Sequence, residues 1–119
     1  MMMNEVEKMA TEMQKKKRPH RCIARDHEWL MPSYRFNQNT VEEQIKKIRE
    51  EVEEISCAYE EYEKLRGYEA KMKLLIECAD VQQAIETLMH LLGATALGRT
   101  KVRRLAWEKN DERGYFQKG

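Results

Sequence analysis

The sequence predicts an all-α protein, an antiparallel bundle made of a long helical hairpin and a C-terminal helix. Three observations carry this expectation. Charged residues make up 36% of the chain, against only five Gly and two Pro, a composition that suits helices. Apolar residues recur at Ile45, Ile48, Val52, Ile55, Tyr59 and Tyr62, alternating short and long steps that make the seam of a helical bundle. Gly67, Gly93 and Gly114 then stand where such helices would stop.

Taken in order, residues 4–17 form a candidate helix with Val6, Met9 and Met13 on one side. The run Lys15-Lys16-Lys17-Arg18 and then Pro19 end it. Residues 19–39 read as irregular, punctuated by Pro32, Ser33, Asn37 and Asn39. Their aromatic residues, Trp29, Tyr34 and Phe36, either pack over the bundle or form a wall on which a planar base stacks. Thr40 and Glu43 make a capping box, which starts a helix running to about Leu65. Arg66-Gly67 breaks the chain. A second helix spans about Tyr68 to Leu92, and a short connection between long helices makes them antiparallel neighbours. A third helix runs from Thr95 or Thr100 to Arg113, with Val102, Leu105, Ala106 and Lys109 as its inner face. The expected organisation is an N-terminal arm over 1–39, a helical domain over 40–116 and a tail over 117–119.

A chain of 119 residues makes one small domain. Its 41% hydrophobic content fills a bundle core, yet a domain this small is marginal alone, so a homo-oligomer is expected. The net charge of +1 argues against nucleic acid as partner, and the basic run before Pro19 reads as a solvated helix end. Three cysteines without a CxxC pair fit a reducing cytoplasm, with Cys57 and Cys78 as small buried hydrophobes. The start lacks a basic region followed by an apolar run, and no apolar segment is long enough to span a membrane. His20, Cys22 and His27 make a poor zinc set because a fourth ligand is missing.

The chemistry gathers at Glu77. At about 100° per residue, Glu77 points the same way as Leu74, Val81, Ala84 and Leu88. A carboxylate in an apolar stripe is unfavourable unless something neutralises it. Asp80 lies one turn on, and Glu51 and Glu54 repeat that spacing upstream. Gly67 is equally far in sequence from Glu54 and Asp80. Folding the hairpin there sets Glu54 opposite Asp80 and brings Glu51 to within a residue or two of the turn holding Glu77. Four carboxylates at one level repel unless a cation joins them. Mg²⁺ suits such oxygen ligands and keeps room for substrate phosphates. No ExxH accompanies the set, which argues against a ferritin-like di-iron centre.

Glu50-Glu51-x-x-Glu54 followed by Glu77-x-x-Asp80 resembles the EExxE…ExxD signature of the all-α nucleoside triphosphate pyrophosphohydrolases, the MazG-like enzymes with the related all-α dUTPases and dCTPases. Lys109-Asn110-Asp111-Glu112-Arg113-Gly114-Tyr115 is similar to the K-N-x-x-R-G-Y ending of small and phage-type members. The resemblance covers about residues 40–116, and the segment before Thr40 departs from it. It implies that Glu51, Glu54, Glu77 and Asp80 ligate Mg²⁺, with Mn²⁺ as the alternative ion. Glu50 would stand behind them, or orient the attacking water together with Glu51. Lys109, Asn110 and Arg113 would hold phosphates, and Trp29, Tyr34 and Phe36 would meet the base. It further implies cleavage of (d)NTPs to (d)NMP and pyrophosphate, in a dimer or tetramer. The competing expectations are a helical bundle that only binds a partner protein, and a family member that binds nucleotide without cleaving it.

Overall fold

The computed structural model describes residues 31–33 and 38–117. Among these the chain is all-α, with α1 at Val41–Leu65, α2 at Gly67–Leu91 and α3 at Ala96–Glu112. The candidate helix over 4–17 and most of the irregular stretch lie outside the described residues. No described helix is long and apolar enough to cross a membrane.

Local signals place the helix ends where the sequence puts them. Thr40 Oγ1 accepts from the Glu43 amide at 3.1 Å, and Glu43 Oε1 accepts from the Thr40 amide at 2.9 Å. This closes the capping box and satisfies two donors at the start of α1. Arg66 and Gly67 both take positive φ, 51° and 86°. That conformation is strained for arginine and free for glycine. The Arg66 guanidinium stacks over the Tyr62 ring at 5.2 Å and pairs with Glu63 at 3.2 Å. At the end of α2 the Gly93 and Ala94 amides donate to the His90 and Met89 carbonyls, a Schellman motif that needs the left-handed backbone glycine supplies. Gly114 and Tyr115 end α3 in the same way on Asp111 and Asn110. Thr95 settles where α3 begins, since its hydroxyl caps the Gly98 amide at 3.1 Å.

Helices α1 and α2 pack against each other. Lys73–Glu61 at 2.8 Å ties them near the connection, and Gln44 Nε2 donates to the Ala84 carbonyl at 3.0 Å far from it. The buried side of α1 is Gln44, Glu51 and Ala58, one heptad apart each. This corrects the expected seam: Ile45, Val52 and Tyr59 are exposed, and Ile48, Ile55 and Tyr62 only half-buried. The helix has turned so that a polar stripe meets α2 and the apolar stripe lies on its flank. On α2, Leu74, Glu77, Val81, Ala84 and Leu88 share one half-buried face, as their spacing requires.

Helix α3 also departs from expectation. Val102, Leu105, Ala106 and Lys109 are exposed, and its one buried residue is Arg99. Arg99 Nε donates to Glu86 Oε2 at 2.8 Å, its NH1 to the Ala94 carbonyl at 2.8 Å, and Arg103 donates to Glu86 Oε1. The arginines, not the apolar face, attach α3 to α2. Trp107 stacks on Phe116 with ring centres 5.3 Å apart, which docks the segment after α3. Cys57 and Cys78 are exposed, contrary to the expectation of buried thiols.

Candidate metal centre

The heptad that buries Gln44 and Ala58 carries Glu51 into the contact with α2, where it is 9% exposed. Glu77 arrives on the half-buried face of α2, and Asp80 follows one turn later at the margin. One carboxylate oxygen from each of Glu51, Glu77 and Asp80 lies within 4.8 Å of the others. Glu77 Oε2 is buried and has no hydrogen-bond partner among the described residues. Such an orphaned acceptor is unfavourable unless a ligand completes it.

The charges act on one another. Burial first, and then the charges of Glu77 and Glu51, raise the Asp80 carboxyl above its ordinary range, while Lys47 works the other way. The charge of Glu51 and the contact with Glu77 raise Glu54 in the same direction, although Glu54 is exposed. Glu51 and Glu77 are therefore the shared centre. Both Glu54 and Asp80 feel these two charges. Crowded like charges favour protonation or a cation.

Beside the carboxylates runs a cleft of about 220 Å³ lined by Gln44, Lys47, Glu51, Asp80, Gln83 and Thr87, with Ser33 and Ala84 completing it. Its inner end is polar and held in place. Thr87 Oγ1 accepts from the Ser33 amide at 2.8 Å and donates to the Gln83 carbonyl at 3.1 Å. The Ala84 carbonyl can only accept, so the Gln44 amide nitrogen faces it. Gln44 Oε1 then accepts from the Asn39 side-chain Nδ2 at 3.0 Å.

Of the residues singled out from sequence, Glu51, Glu77 and Asp80 come together and Glu54 stands beside them. Glu50 is exposed on α1. Lys109, Asn110 and Arg113 sit at the end of α3 and do not line the cleft. Trp29, Tyr34 and Phe36 lie outside the described residues. Sequence reasoning missed several cleft residues, Lys47 and Gln44 among them. Lys47 pairs with Glu51 at 2.9 Å, and the opposite charges four positions apart were the signal for it. Gln44 could have been found as a polar residue one heptad before Glu51.

The donor set is all oxygen, crowded and incompletely satisfied, which fits a hard divalent cation and disfavours a soft metal. Comparison with known proteins finds no family model, no curated protein and no solved structure that matches this chain.

Proposed function

We propose that this chain is a Mg²⁺-dependent nucleotide pyrophosphohydrolase that converts (d)NTPs and water to (d)NMP and pyrophosphate, in a nucleotide-pool cleaning or balancing role. The observation that carries the reading is the buried Oε2 of Glu77, without a hydrogen-bond partner among the described residues, on a side chain that comes together with Glu51 and Asp80. In this reading Glu51, Glu54, Glu77 and Asp80 hold the ion, Mg²⁺ or alternatively Mn²⁺. When bound, the ion neutralises triphosphate charge and makes water a better nucleophile. Glu51, or Glu50 behind it, orients the water toward the α-phosphorus, and pyrophosphate departs as that bond forms. Lys109, Asn110 and Arg113 hold phosphates. Because they do not line the cleft of the single chain, the reading assigns them to a cleft completed in a homo-oligomer, a dimer or tetramer of antiparallel bundles. The exposed Ile45, Val52 and Tyr59 on α1, with Leu97 and Leu105 on α3, supply apolar surface for such assembly. Trp29, Tyr34 and Phe36, which lie outside the described residues, are assigned to the base.

The same exposed apolar residues favour a second reading, a bundle that binds a partner protein without chemistry. Pyrophosphate release from a panel of NTPs and dNTPs, with and without Mg²⁺, separates the two. Release that requires Mg²⁺ and is lost in Glu54→Gln and Asp80→Asn is the expected result. No release from any nucleotide overturns the enzymatic reading in favour of the second.

A further inference from the structure

The carboxylate cluster already holds a cation that belongs to the chain. Lys47 stands one turn before Glu51 on α1, with Nζ 2.9 Å from Glu51 Oε1 and its side chain about one-third exposed, at 32%. It lines the cleft together with Glu51 and Asp80. An ammonium is a compact point charge on a flexible stem, so it can leave one partner for another a few ångströms away.

A divalent ion ligated by Glu51 at about 2.1 Å would share that carboxylate with the ammonium, and two cations so close repel. We propose that Lys47 is a built-in, displaceable counter-ion: it steadies the carboxylates while no metal is bound, yields Glu51 when a divalent cation enters, and then faces the phosphates of the nucleotide in the cleft. The inference rests on reading Glu51, Glu77 and Asp80 as a metal site, and it adds a residue that sets the metal threshold and couples it to substrate. Tethered to α1, the displaced ammonium stays at the cleft, where a triphosphate is the anion to meet it.

The test uses Mn²⁺ alone, without nucleotide, titrated by calorimetry into the full chain and into Lys47→Met, with Lys47→Gln as a second neutral variant should the first fail to fold. The neutral variant is expected to bind Mn²⁺ about tenfold more tightly, a gain of about 1.4 kcal/mol, and to melt lower than the parent when no metal is present. In turnover its KM for the nucleotide rises several-fold while kcat changes little, and Lys47→Arg restores KM in part. Equal or weaker Mn²⁺ binding by the folded neutral variants overturns the counter-ion role while leaving the metal site standing. An unchanged KM overturns the phosphate role. No Mn²⁺ binding by any of the proteins overturns the metal reading itself, and this inference with it.

Discussion

In the cleft between α1 and α2, three carboxylates face one another with Lys47 on Glu51, and a buried oxygen of Glu77 is left without a partner among the described residues. At the junction of α2 and α3, a single carboxylate, Glu86, has both oxygens taken by Arg99 and Arg103. Both groups bury charge on the same helix, about two turns apart. The α3 junction is electrostatically saturated and closed, with the Glu86 and Arg99 side chains only 4% and 7% exposed. The α1 cleft carries excess charge and opens to solvent. Buried charge that is fully paired holds a structure together. Buried charge left in excess is destabilising until a ligand arrives, and this is why the cleft, and not the junction, is the candidate site.

Breaking the saturated group should have the largest effect. Glu86→Ala leaves Arg99 buried without its carboxylate, and removing one partner of a buried pair typically costs about 3–5 kcal/mol. Thermal melting of this variant should show α3 released or the whole domain lost. A midpoint close to the parent's would mean that the junction is not a structural anchor.

The cleft should respond in the opposite sense. Asp80→Asn removes a charge that its surroundings disfavour. The metal-free variant should therefore melt at the parent's temperature or about 2 °C above it, while Mg²⁺-dependent turnover falls by about a hundredfold or more. A strongly destabilised Asp80→Asn would erase the distinction between the two groups.

Metal should sharpen the contrast next. Saturating Mg²⁺ or Mn²⁺, at about 100 times its Kd, should stabilise the parent by about 2.7 kcal/mol and raise its melting midpoint. Asp80→Asn should respond much less, and substitutions at Arg103 should leave the increment unchanged. The smallest effect serves as a control. Lys73 and Glu61 also pair at 2.8 Å, but with side chains 57% and 40% exposed. Lys73→Met should change stability by less than about 1 kcal/mol, because water screens the pair. A loss comparable to that of Glu86→Ala would show that burial is not what separates these interactions.

How much of this was legible in the sequence follows the range of the forces involved. The capping box at Thr40, the reversal at Arg66-Gly67, and the stops at Gly93 and Gly114 are all set by hydrogen bonds within a few residues, so residue type and spacing suffice to place them. The same holds for the pointing of Glu77 with Leu74, Val81, Ala84 and Leu88, which helical geometry alone dictates. The convergence of Glu51, Glu77 and Asp80 was legible too, because a tight connection between two long helices leaves few registers.

Rotation of a helix about its own axis is different, because the partner surface decides it. Helix α1 offers two stripes: the apolar Ile45, Val52 and Tyr59, and the mixed Gln44, Glu51 and Ala58. Only packing against α2 decided that the second would be buried. Likewise α3 has an apolar side, yet Arg99 and Arg103 determine how it attaches because Glu86 waits buried on α2. Periodicity ranks faces by hydrophobicity and is blind to a carboxylate on another helix. The sequence by itself therefore determined the class, most of the helix limits and the meeting of Glu51, Glu77 and Asp80. The tertiary structure alone decided which surfaces are covered, which charges are satisfied, and that Lys47 stands in the cleft on Glu51. Local backbone bonding settles the former, and pairing between residues distant in the chain settles the latter.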